Sequence, residues 1–161
     1  MTRELTAYEV LEIAERMERN AARFYRRAAG MCDDPRICKL FGELAQWEKR
    51  HVRIFAEMKE HLSEQMWELG RFEPDRVDVS LTAAQPPVFG DHDVPSQETA
   101  CDKSKADILR TAIAKEKEAI AYCTSLSESV LGEGNIELIK DIVREEDRHV
   151  RILTQSLEQI T

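Results

Sequence analysis

The segment Arg50-His51-Val52-Arg53-Ile54 recurs unchanged as Arg148-His149-Val150-Arg151-Ile152, an offset of 98 residues. A chain that repeats itself over such a distance is built from two related halves, each obeying the same local rules. The same offset carries Glu48 to Glu146 and Glu18 to Glu116, and near the latter pair it carries Ala21 to Ala119 and Phe24 to Tyr122. One register therefore aligns three ligand-type positions in each half.

Apolar periodicity predicts two helices per half. Tyr8, Leu11, Ala14, Ala21, Ala22, Tyr25 and Ala28 recur at helical spacing, and Thr6 with Glu9 reads as a capping box, giving a first helix over residues 6–29. Gly30 and Asp33-Asp34-Pro35 interrupt it, with Pro35 suited to the first position of a second helix capped by Asp34 and running to residue 69. Residues 70–98 hold every proline except Pro35 and lose the helical period. At ~3.3 Å per residue such a stretch can carry the chain along the whole length of a helix bundle. The period returns from Thr99 or Ser104, with Leu109, Ala112, Ile113, Ala119, Ile120, Cys123 and Leu126 on one face. Gly132, Gly134 and Asn135 then mark a break, Asn135 being suited to cap a last helix that carries Ile139, Ile142, Val143, Val150, Leu153, Leu157 and Ile160. The expectation is an all-α single domain over residues 1–161: helical hairpins 6–69 and 99–160 joined by a long crossover at 70–98, a four-helix bundle.

Composition excludes other classes. With 31 acidic against 23 basic residues the net charge is −8, and no basic stripe is present to track a phosphate backbone, so nucleic acid is not an expected partner. No run of 18 apolar residues and no secretory leader is visible, so neither membrane insertion nor export is expected. Cys32, Cys38, Cys101 and Cys123 lack Cys-x-x-Cys spacing, which fits a reducing cytoplasm rather than a zinc ribbon or disulfide framework.

The repeated acidic positions interrupt apolar stripes. Glu18 falls between Ala14 and Ala21, Glu116 between Ile113 and Ile120, Glu48 and His51 between Leu44 and Phe55, and Glu146 and His149 between Ile142 and Leu153. All six should face inward, with each Glu and His three apart sharing a helix face. Four carboxylates meeting in an apolar core cost several kcal/mol each if left ionised and unpaired, at roughly the scale known for buried charges. Two divalent cations would cancel that charge, with two neutral imidazoles completing the shells. Carboxylate and imidazole donors without thiolate suit iron or manganese better than structural zinc.

The segments Met17-Glu18 through Phe24-Tyr25, Glu48 to His51, Glu116 to Tyr122 and Glu146 to His149 together resemble the rubrerythrin type of ferritin-like di-iron domain. The resemblance covers nearly all of the chain outside the crossover. It implies a ferritin-like four-helix bundle with one long crossover between the second and third helices. It also implies two iron ions, with manganese as the alternative, held by Glu18, Glu48, His51, Glu116, Glu146 and His149. The implied partners are Fe(II), H₂O₂ or O₂, an external electron donor and a second copy in a homodimer. Two departures stand out. The chain lacks the paired Cys-x-x-Cys motifs of a rubredoxin module, and Ala119 occupies the place where peroxidase members carry a further glutamate three residues after the third-helix ligand.

Three functions follow as expectations: a non-haem di-iron oxidoreductase reacting with H₂O₂ or O₂, an iron-binding or ferroxidase protein without peroxidase turnover, and a metal-stabilised interaction module. Tyr25 and Tyr122 read either as core aromatics or as groups that hydrogen-bond the carboxylates or stabilise an oxidised site. Trp47 reads as packing and Cys123 as a buried structural thiol. His61 and His92 read as exposed. Glu15, Glu43, Glu118 and Glu145 read as helix-surface charges, any of which could stand in for the carboxylate missing at Ala119.

Overall fold

A computed structural model describes residues 6–70, 104–127 and 133–161. Four helices account for nearly all of these residues: α1 Ala7–Met31, α2 Pro35–Glu68, α3 Lys105–Ser127 and α4 Glu133–Ile160. No strand occurs among the described residues. The crossover expected at 70–98 lies outside them beyond Gly70, as do His92 and Cys101.

The helix ends follow local chemistry. Thr6 Oγ1 accepts from the Glu9 backbone N–H at 3.2 Å while the Thr6 N–H donates to Glu9 Oε2 at 2.8 Å, closing the expected capping box. Asp34 accepts from the Arg36 N–H at 3.0 Å, with Pro35 opening α2 where an N–H is not needed. α2 ends at Glu68 with Leu69 as its cap, and the next residue, Gly70, has a φ of +64°, the left-handed conformation that glycine adopts without strain, its N–H donating to the Trp67 carbonyl. Ser104 caps α3, accepting from the Asp107 N–H at 3.3 Å. Two boundaries differ from the sequence reading: α1 runs on through Gly30 to Met31, and α4 already begins at Glu133, so Asn135 lies inside its first turn and does not cap it. The acidic Glu133 suits the positive end of that helix.

Only residues 32–34 separate α1 from α2, so α2 must turn back along α1, and the two pack along their length. α3 and α4 form the second packed pair, while α2 meets α4 and α1 meets α3 across the interior. Two apolar clusters fill that interior. One gathers Phe24, Tyr25, Phe41, Leu44, Leu109 and Leu153, and the other gathers Leu11, Met17, Phe55, Cys123, Ile139 and Ile142. Every helix passes through both clusters, and the ligand-type residues lie between them in each sequence. No helix among the described residues is long and apolar enough to cross a membrane.

Candidate metal centre

The six residues singled out by the repeat converge. Glu48, Glu116 and Glu146 are fully buried, and Glu18, His51 and His149 are 1% exposed, so a charged layer crosses the bundle between the two apolar clusters. Their helices explain the arrangement. α2 and α4 each offer a Glu and a His one turn apart on the face that meets the other, and α1 and α3 each add one Glu from the flank.

The geometry is close to two-fold. His51 Nδ1 lies 2.7 Å from Glu146 Oε1, 3.2 Å from Glu48 Oε2 and 3.9 Å from Glu18 Oε2. His149 Nδ1 lies 3.1 Å from Glu48 Oε1, 3.1 Å from Glu146 Oε2 and 3.9 Å from Glu116 Oε1. Two sets of donor atoms result, Glu18 with Glu48, His51 and Glu146, and Glu48 with Glu116, Glu146 and His149, each set lying within 4.8 Å of one another. Glu48 and Glu146 belong to both sets and turn one oxygen toward each. Glu18 and Glu116 belong to one set each. This is a buried carboxylate and imidazole cluster with the shape of a paired metal site.

The donor atoms are not satisfied by one another. Among the described residues Glu18 Oε1, Glu48 Oε1, Glu116 Oε2 and Glu146 Oε1 are buried without a hydrogen-bond donor. Glu48 Oε1 and Glu146 Oε1 do approach a ring nitrogen, but one Nδ1 carries at most one hydrogen and cannot serve three carboxylates. Lone pairs crowded together in this way fit cations, which accept from several of them at once. Titration behaviour agrees. Burial, reinforced by the charge of Glu146, pushes Glu18 and Glu116 well above the ordinary carboxylate range. Burial also works to raise Glu146, but hydrogen bonds with Glu116, His149 and His51 outweigh it and hold that carboxyl low. Burial opposes charge on the imidazoles too, yet Glu146, Glu18 and Glu48 raise His51, while Glu146 and Glu48 lift His149 to about 9. Protons on Glu18, Glu116 and the two imidazoles offset part of the clustered negative charge.

The surroundings divide the expected neighbours. The Tyr25 hydroxyl donates to Glu116 Oε1, and burial followed by the Glu116 charge pushes its own ionisation well up. Tyr122 does not reach the cluster: its hydroxyl donates to the Val10 carbonyl at 3.1 Å and ties α3 to α1 instead. Cys123 is buried within the apolar cluster, as a structural thiol should be. None of the surface glutamates replaces the carboxylate absent at Ala119, which is itself packed in the core. Glu15 is held by Lys59 and Arg19 and is nearly buried, contrary to its reading as a surface charge. Glu43 and Glu118 stand 3.8 Å from Lys39 and 3.6 Å from Lys115, both carboxylates more than half exposed.

Glu145 and Trp47 are the residues that sequence reasoning undervalued. Glu145 Oε2 accepts from His51 Nε2 at 3.0 Å, and the Trp47 ring lies parallel to the His149 imidazole with centroids 5.0 Å apart. The signal was present in the repeat: the offset that pairs the ligands also pairs Trp47 with Glu145.

Comparison with known proteins agrees with this geometry. Residues 1–59 match the rubrerythrin family model, a stretch that contains Glu18, Glu48 and His51. No curated protein matches the chain. Among solved structures, a ferritin-like diiron-carboxylate protein from Thermotoga maritima superposes with a TM-score of 0.70 at 20% identity, covering 100% of both chains. The chain thus has the ferritin-like fold, and its residues 1–59 are similar to the rubrerythrin family.

Proposed function

We propose that this protein is a non-haem di-iron oxidoreductase that reacts with H₂O₂ or O₂ at a centre held by Glu18, Glu48, His51, Glu116, Glu146 and His149. The observation that carries the reading is the sharing of Glu48 and Glu146 between two overlapping donor sets, which a single-cation site would not need. Two bound Fe(II) ions would supply the two electrons that reduce H₂O₂ to water, or O₂ as far as peroxide, and an external donor would restore them. Glu48 and Glu146, which belong to both donor sets, would help to hold both ions, with Glu18 and His51 serving one and Glu116 and His149 the other. Tyr25 orients Glu116 through its hydroxyl, keeping its own proton. The apolar clusters on either side exclude bulk water and keep the charged groups in a low-dielectric layer.

A second reading, an iron-binding or ferroxidase protein, draws on Ala119. A methyl group is packed in the core there, Glu15, Glu43 and Glu118 are engaged elsewhere, and Glu145 meets the outer nitrogen of His51, so among the described residues no carboxylate takes the place of the missing ligand. Anaerobic loading with Fe(II), metal counting and separate stopped-flow mixing with H₂O₂ and with O₂ decide between them. The oxidoreductase reading expects two irons per chain, with oxidation much faster by peroxide than by O₂. Preference for O₂ followed by release of iron would favour the ferroxidase, and a chain that binds no iron would sink both.

A further inference from the structure

The ligands obey the 98-residue repeat, but the residues immediately before the two Glu-x-x-His segments depart from it. Trp47 precedes Glu48, and Glu145 precedes Glu146. Each reaches across the bundle to the histidine of the opposite helix, Trp47 from α2 to His149 on α4 and Glu145 from α4 to His51 on α2. The places are equivalent and the chemistry is not. Trp47 covers the His149 ring face to face, at an interplanar angle of 6°, and offers it no acceptor. Glu145 accepts the Nε2 hydrogen of His51 at 3.0 Å and is steadied by Arg50 Nη2 at 3.6 Å. Among the described residues no acceptor reaches Nε2 of His149, whose bond is made through Nδ1.

An imidazole that binds a cation through Nδ1 carries its hydrogen on Nε2. A carboxylate accepting that hydrogen fixes the tautomer, locks the ring angle and makes the binding nitrogen more basic. Such an outer partner is typically worth about 10- to 100-fold in metal affinity. A stacked indole limits ring motion but supplies neither the acceptor nor the negative charge.

We propose that Glu145 is a positioning residue that makes the two cation positions unequal. The position served by Glu18 and His51 fills first and holds its ion more tightly, and the position served by Glu116 and His149 fills second and exchanges more readily. This rests on the metal-binding reading above and adds an order of loading to it.

Co(II), which is stable in air and reports its ligand field through visible absorption, is a suitable probe for the full metal-free chain. Titration followed by calorimetry and absorption should give two steps separated by about tenfold or more. Glu145→Ala should weaken the first step about 10- to 100-fold and alter the spectrum of the first-bound ion, leaving the second step in place. Glu145→Gln keeps an acceptor and should restore part of the loss. Trp47→Glu gives His149 the partner it lacks and should strengthen the second step, while Trp47→Phe should leave both nearly unchanged. Two equal steps in the unaltered protein, or a Glu145→Ala variant that weakens both steps alike, would overturn the inference while leaving the metal centre standing. A chain that takes up no Co(II) at all would overturn both together.

Discussion

The hairpin of α1 and α2 and the hairpin of α3 and α4 carry the same three ligand-type positions and surround them differently. Glu116 on α3 accepts from the Tyr25 hydroxyl of α1. The repeat puts Cys123 in the corresponding place on α3, a buried thiol raised by burial and then by the charge of Glu18. A phenol thus serves one flanking carboxylate and a much weaker donor stands near the other. The pair Trp47 and Glu145 differs in the same manner. Residues that touch a shared centre are held alike by its geometry, whereas their neighbours are free to diverge. Divergence at equivalent places is what can distinguish the two halves of the centre.

The sharpest way to break this comparison is to remove ligands one at a time. Glu48→Ala and Glu146→Ala each delete an oxygen donor from both sets and should abolish tight binding at both positions. Glu18→Ala and Glu116→Ala each touch one set and should leave about half the metal, by elemental analysis of the purified chains. Four variants with equal losses would refute the sharing of Glu48 and Glu146.

A smaller effect concerns acidity. His149 titrates near 9 in the folded metal-free cluster against 6.5 ordinarily, so its stabilising contribution is fully present below pH 6.5 and lost as pH rises through 9. At about 1.4 kcal/mol per unit this is on the order of a few kcal/mol. The raised Glu18 and Glu116 act in the same direction, since their ionisation in the core becomes costly as pH rises above the ordinary carboxylate range. Thermal melts should show metal-free protein losing stability between pH 6.5 and 9, and the metal-loaded protein should be spared because cations replace the protons. A melting temperature independent of pH in the metal-free chain would contradict the clustering of charge.

The tyrosines test the comparison at its finest. Tyr25→Phe strands a buried carboxylate oxygen and should cost about 1–3 kcal/mol, with a change in metal affinity. Tyr122→Phe removes one bond to a backbone carbonyl and should cost about 0.5–1.5 kcal/mol, with metal binding untouched. Chemical denaturation and a Co(II) titration of the two variants measure both quantities.

Much of this was legible in the chain itself. Helices showed through apolar period and caps, and the inward ligands showed because charge at a core position contradicts the surrounding stripe. Outer partners were harder to read. Glu145 sits on a mostly polar turn and looks like any solvated glutamate, and only the approach of α4 to α2 reveals that its side chain meets His51. Tyr122 misled for the converse reason. It is aromatic and close in sequence to a ligand, yet its direction around α3 sends the hydroxyl to Val10. Period fixes the face of a helix, while the partner across the interface depends on crossing geometry that one strand of text does not contain.

Glu48 and Glu146 stand on opposite hairpins and far apart along the chain. A cation gripped by both is therefore a cross-link, comparable in its effect on chain freedom to a disulfide closing a loop of that length. In its absence the two hairpins would meet through two apolar zones separated by a layer of crowded carboxylates and imidazoles. In this sense the proposed centre would be a clasp, and the amount of metal it holds would set how firmly the bundle is closed.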